Sequence, residues 1–297
     1  MDYKGYEIRE NKSDGIVIIK NIRDFNPTHT FECGQCFRWI RESDGSYTGV
    51  VRDLAVNVTF DGKDMLIGNC TIDDFINVWY QYFDLERDYS EIKKELSKKD
   101  DIMRKAVEFG SGIRILRQDL WEMIISFIIS ANNRIPMIMK IINNLSEMYG
   151  NKIILGDKIC YTFPDINKIT NENIDNIRIC KAGFRCKYIF NASMMVKNKE
   201  IDIDKLNNVD TDEARRILRK LPGVGPKVAD CVLLYSGVKY DVFPADIWIK
   251  RAVEKLYFHH PASINEIQKF AKNYFGDLAG FAQLYLFYYA RENKIVD

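Results

Sequence analysis

The stretch Leu221-Pro222-Gly223-Val224-Gly225-Pro226-Lys227-Val228-Ala229-Asp230-Cys231 decides the fold, with Phe243-Pro244-Ala245-Asp246-Ile247-Trp248 a short way downstream. Just before it, Asp210-Thr211-Asp212-Glu213 has the spacing of a capping box and opens the apolar-periodic run Ala214, Ile217, Leu218, Leu221, which predicts a helix. Pro222-Gly223 stops that helix, and the two glycines permit positive φ in a tight turn. Pro226 suits the first position of a second helix, because its missing N–H would be unpaired there. Residues 211–236 therefore read as a helix-hairpin-helix. A helix N-terminus approached through glycines leaves backbone N–H groups facing outward, a surface that binds phosphate without reading base sequence.

Lys227 falls in the first turn of the second helix, where the helix dipole and desolvation both disfavour an ammonium and predict a neutral, nucleophilic amine. On the hairpin alone, a phosphate contact is the more ordinary reading of this lysine. Asp246 precedes the run Ile247, Ile249, Val253, Leu256 and so reads as an N-cap. One helix plus a return loop also suffices to bring its carboxylate back beside Lys227.

Two further sets of residues change the weighting. Gly34-Gln35-Cys36-Phe37-Arg38-Trp39, Leu116-Arg117-Gln118-Asp119 and Ser130-Ala131-Asn132-Asn133 precede the hairpin. Gly183-Phe184-Arg185-Cys186-Lys187-Tyr188 also precedes it, and Gly280-Phe281-Ala282-Gln283 with Phe287 follows it. In this order, and together with the hairpin and Pro244-Ala245-Asp246, they resemble the 8-oxoguanine DNA glycosylase/AP lyase family of the helix-hairpin-helix glycosylases, as a prokaryotic member. The resemblance runs from about Phe31 to Phe287.

It implies an α+β chain in which an N-terminal antiparallel sheet domain, residues 1–110, precedes a helical glycosylase domain, residues 111–297. It implies duplex DNA containing 8-oxoguanine as the substrate, excised through a Schiff base on Lys227 with Asp246 as the catalytic carboxylate, followed by β-elimination. Gly34 would read the N7–H of the lesion, Gln283 its Watson–Crick edge, and Phe287 and Cys231 would sandwich the ring. Asn132 and Phe184 would fill the vacated stack and Arg185 would hold the orphaned cytosine. Gly223, Gly225, Val228 and Trp248 would contact the DNA. Met137 stands where eukaryotic relatives carry a second arginine, and a thioether cannot donate to cytosine, so relaxed opposite-base discrimination is expected. Without the resemblance, Phe287 and Cys231 would be core residues, Asn132 a polar helix end and Arg185 a surface charge.

Composition sets the outer bounds. The 297 residues are 46% hydrophobic with a formal net charge of +1, enough to bury a sizeable core in two or three subdomains. Residues 1–105 hold 16 basic and 20 acidic side chains against 27 and 22 in the remainder, so the basic excess lies with the hairpin. No signal peptide or membrane span is legible, and a cytoplasmic monomer is expected. Seven cysteines, an odd number, suggest free thiols. Cys33 and Cys36 have no partner pair at zinc spacing, and the C-terminal region lacks a four-cysteine iron–sulfur motif. No organic cofactor or iron–sulfur cluster is expected; the resemblance adds only a monovalent cation at the hairpin carbonyls.

Alternation and turn signals predict strands at Ile16–Ile19, Cys36–Arg41, Tyr47–Arg52 and Val56–Phe60, separated by Asp44-Gly45 and Asp61-Gly62. A helix capped by Thr71, a charged helix over Ser90–Phe109, and helices from Asp119, from Pro136 to Met148 and over Lys187–Lys197 follow. The stretch from Phe163-Pro164 to Asn171–Ile177 reads as irregular. The rivals are a monofunctional helix-hairpin-helix glycosylase for other damaged bases and a non-catalytic phosphate-binding module. Neither needs Gly34, Lys227, Asp246 and Gln283 together.

Overall fold

The computed structural model describes residues 1–172 and 174–296, so Asn173 of the Asn171–Ile177 stretch lies outside the described residues. Seven strands make one antiparallel sheet: β1 (Asp2–Tyr3), β2 (Tyr6–Asn11), β3 (Ile16–Ile19), β4 (Trp39–Arg41), β5 (Tyr47–Val51), β6 (Leu54–Phe60) and β7 (Met65–Gly68). Their order is β1-β2-β3-β7-β6-β5-β4. The α+β class is as the sequence reads, and Asp44-Gly45 and Asp61-Gly62 do close the β4–β5 and β6–β7 hairpins.

Three strands escape the alternation pattern. β1 is two residues long, β2 interleaves its one fully buried residue, Ile8, with charges, and β7 is four residues long. β4 is shorter than predicted and begins at Trp39. Its expected first half is instead a loop tied down by Gln35, whose Nε2 donates to Thr30 O at 2.8 Å and to Arg114 O at 2.7 Å, while Oε1 accepts from Leu116 N at 2.8 Å. Both faces of β5 are buried, against the single covered face expected of such a sheet. A second hairpin, β8 (Lys152–Leu155) with β9 (Lys158–Tyr161), and the helix Ile135–Tyr149 share a groove with β5 residues Thr48 to Val50.

Thr71 and Asp74 form a reciprocal capping box, and the helix they start passes through a π-helical turn, Phe75–Trp79. That turn drives Phe75 and Trp79 into the sheet core. The predicted Ser90–Phe109 helix is two helices, Tyr89–Ser97 and Asp101–Phe109, because the Asp100 side chain takes up Met103 N–H at 2.7 Å and restarts the chain as a new N-cap. Their buried residues Tyr89, Leu96 and Met103 join the larger helical core rather than that of the sheet.

The remainder is helical: Leu120–Ser130 capped by Asp119, Ile135–Tyr149, Arg185–Lys197, Thr211–Leu218, Pro226–Tyr235, Ile247–Val253, Ile264–Phe275 and Ala279–Glu292. Short helices Ile166–Thr170 and Ile174–Arg178 occupy the stretch read as irregular. Among the described residues, no helix is long and apolar enough to cross a membrane.

Candidate active site

The hairpin forms as its residues dictate, with one difference. Asp210 caps the first helix by accepting from Glu213 N at 2.8 Å, but the return half of the capping box is missing because Glu213 pairs with Arg216. Leu221 O accepts from Val224 N at 3.1 Å and closes the turn. Only Gly223 has positive φ, at 84°, and a Cβ there would lie 3.0 Å from the Tyr188 ring. Gly225 is extended (φ −87°, ψ −179°) and serves as the N-cap of Pro226–Tyr235. What Gly225 contributes is space: a Cβ built on it meets nothing within 4 Å, leaving the helix N-terminus open to an anion. The Val228 side chain is buried, so any contact it makes with a phosphate runs through its backbone.

Lys227, Cys231 and Tyr235 recur every four residues and share one face of this helix. The Lys227 ammonium lies 5.5 Å from the centroid of Phe127, which stacks on Tyr235 at 5.5 Å and 20°. Tyr235 Oη in turn reaches Gln283 Oε1 at 3.4 Å. Gln283 and Phe287 are one turn apart on Ala279–Glu292, and Phe287 meets Trp248 edge to face at 5.1 Å. Trp248 thus packs beside one of the residues expected to handle the base. Gly34, with φ at 94°, lies so close to Phe287 that a Cβ would be 3.0 Å from its Cε1. Asp246 caps Ile247–Val253 by accepting from Ile249 N at 2.8 Å, and its charge also acts on Lys227. All six residues expected to handle the base therefore converge on one place.

The electrostatics at Lys227 pull in two directions. Burial pulls the Lys227 ammonium down, and this is the largest single influence. Negative charge on Cys231 and Asp246, with a hydrogen bond to Cys231, outweighs it and leaves the amine above its ordinary value. Cys231 is itself pushed up to about 11 by burial. The Asp246 carboxylate favours the protonated lysine, against the helix dipole and desolvation that favour the neutral amine.

The residues expected to enter the DNA stack form a second group. Arg185 Nε donates to Ala131 O at 3.0 Å and its Nη2 to Asn132 O at 2.9 Å, while its guanidinium covers the Phe184 ring at 4.6 Å. Asn132 takes a left-handed conformation, φ 50°, just past the end of Leu120–Ser130. Phe184 and Met137 are 61% and 46% exposed, unusual for large apolar side chains that face only water.

Two neighbours were not legible. Ile247, 69% exposed directly after Asp246, is another large apolar side chain left in water, and its one signal is an apolar residue directly after an N-cap. Phe127 sits in a helix that is apolar on nearly every side, so periodicity does not single it out. A 630 Å³ cavity, lined by Asp210, Arg215, Lys239 and Lys272 among others, includes none of the residues expected to handle the base.

Residues 125–275 match the model of the HhH-GPD superfamily of base excision DNA repair proteins, and residues 17–124 that of the 8-oxoguanine DNA glycosylase N-terminal domain. The solved structure of MBOgg1 with a low-affinity DNA ligand superposes with a TM-score of 0.94 at 52% identity, over 97% of this chain and 99% of that one. The Clostridium acetobutylicum 8-oxoguanine glycosylase/lyase, bound to duplex DNA with cytosine opposite 8-oxoguanine, gives 0.93 at 46% identity over 99% and 100%. A probable N-glycosylase/DNA lyase of Methanothermobacter thermautotrophicus is 30% identical over 72% of this chain and 74% of its own length. The chain belongs to the 8-oxoguanine DNA glycosylases of the HhH-GPD superfamily.

Proposed function

We propose that this chain flips 8-oxoguanine out of duplex DNA, excises it through a covalent Lys227 intermediate and then nicks the strand. The observation that carries the reading is the convergence of Lys227, Cys231, Asp246, Gly34, Gln283 and Phe287, drawn from both ends of the chain, on one pocket beside an open helix N-terminus. Extrusion brings the damaged base within reach of groups that cannot enter a duplex.

Lys227 first gives up its proton. The amine nitrogen then attacks C1′ as the C1′–N9 bond breaks, its electron pair leaving with the base, which takes up a proton. Asp246 stabilises positive charge on the sugar during this step. Loss of the amine proton and opening of the C1′–O4′ bond, with O4′ protonated, gives the imine. The imine acidifies C2′, and loss of a C2′ proton expels the 3′ phosphate by β-elimination. Gly34 O accepts from N7–H, which guanine lacks. Arg185 leaves the Ala131 and Asn132 carbonyls to hold cytosine, and with Met137 beside it the opposite base is weakly discriminated.

No organic cofactor takes part. Carbonyl oxygens of the Leu221–Gly225 turn are the donors a monovalent cation takes, and the open side at Gly225 leaves room for one. The enzyme works as a cytoplasmic monomer.

The test is borohydride trapping on a duplex with one 8-oxoguanine, using wild type and Lys227→Gln. A covalent adduct with the wild type alone supports the reading. Base release without an adduct from either protein makes the enzyme monofunctional, and no release removes the lesion assignment.

A further inference from the structure

Lys227 poses a positioning problem that the six pocket residues do not solve. A lysine amine ends a flexible four-carbon stem, and attack on C1′ needs it in one place. The titratable groups that act on it are Cys231 on the same helix and Asp246 on the cap of the next, whose Oδ1 is engaged by Ile249 N–H. The helix packed against Lys227, Leu120–Ser130, brings no charge to it: Glu122 pairs with Arg38 at 3.4 Å. What that helix brings is the face of Phe127, 5.5 Å from the ammonium.

Phe127 is 2% exposed and fixed by rings on two sides, Tyr235 at 5.5 Å and Phe37 at 5.5 Å and 64°. Phe37 belongs to the Gly34 loop, Tyr235 bonds Gln283, and Phe127 lies one turn before the Asn132 loop. The ring under the lysine is thus braced by segments that read the base and fill the stack.

We propose that Phe127 is a positioning residue for the nucleophile, its ring face seating the Lys227 cation beside Asp246 until a base enters the pocket. An aromatic face attracts a cation through its quadrupole, more strongly where water is excluded. To the pulls of Cys231 and Asp246 the seat adds an interaction with a ring face, which forms no hydrogen bond to the amine. The inference rests on the Schiff-base reading of Lys227.

Ring fluorination tests it, because fluorine withdraws the negative face while nearly preserving shape. Phe127 is replaced by mono-, di- and trifluorophenylalanine, with trifluorophenylalanine at Phe83 in the sheet core as the control. Single-turnover trapping on 8-oxoguanine duplex is followed against pH, with the DNA dissociation constant and Tm measured in parallel. The expected result is a stepwise fall in the alkaline midpoint, reaching roughly half a pH unit to one unit for the trifluoro ring. DNA affinity and the Phe83 control stay unmoved. Phe127→Leu, which removes the ring, shifts the midpoint the same way and lowers the plateau about 10-fold. Midpoints that stay constant across folded fluorinated proteins overturn the cation seat while leaving the nucleophile intact. Absence of a trapped adduct in the wild type overturns both.

Discussion

The ring of Phe287 rests on Gly34, with 3.0 Å between its Cε1 and the place a Gly34 Cβ would take. Gly34 leaves no room for a side chain against this ring, and it also has φ at 94°, where a side chain is strained. Gly34→Ala is expected to cut 8-oxoguanine excision by about 10- to 100-fold while leaving borohydride trapping on a preformed abasic site within about threefold. Equal loss on both substrates would show a general folding defect instead.

Asp246 has two duties that can be separated by pH. Its charge holds the Lys227 proton, so Asp246→Asn lowers the amine's pKa and moves the alkaline limb of the rate profile to lower pH. The plateau nevertheless drops by about 100-fold or more, because the sugar's developing charge loses its stabiliser. The helix keeps an N-cap, as asparagine also accepts from Ile249 N–H, so urea unfolding changes little. A lower plateau with an unmoved limb would leave the carboxylate only the sugar to act on.

The proposed weak choice of opposite base is tested at Met137. Met137→Arg adds a bidentate donor at the rim and is expected to raise the ratio of excision opposite C to excision opposite A by about 10-fold. Wild type should act comparably on both duplexes, a comparison made by single-turnover excision.

Glu122 predicts a pH dependence of stability. Burial, offset in part by Arg38, raises its carboxyl to about 7, whereas in the unfolded chain it titrates in the ordinary range near 4.5. Between those values the folded state binds more protons. Stability is therefore fully present below about 4.5 and falls as pH rises to about 7, by on the order of 3 kcal/mol if no other group intervenes. Glu122→Gln should flatten the decline in urea midpoint between pH 5 and pH 8; an undiminished slope would assign it to other carboxylates.

Local chemistry made much of this legible. Proline and glycine punctuation gave the hairpin, Asp119, Thr71 and Asp246 gave their caps, and the motifs gave the pocket residues. What escaped depended on neighbours remote in sequence. The charged run from Ser90 to Phe109 gave no hint that Asp100 would cap a new helix, and β8 and β9 are too short for alternation to register. The upward pull on Lys227 could not be read, since one of the charges that oppose burial, Asp246, arrives from another helix. Phe127 was hidden for the opposite reason: in a helix buried all round, nothing marks the residue that meets a cation.

The last helix described, Ala279–Glu292, supplies Gln283 and Phe287, and its Arg291 donates to Glu32 O across 259 residues of chain. The same helix packs on the second helix of the hairpin, where Gly280 approaches Leu234 so closely that a Cβ would lie 2.4 Å away. A chain stopped before this segment would lose Gln283, Phe287 and one wall of the core that supports the hairpin. Truncation near the C-terminus would therefore cost recognition and folding together.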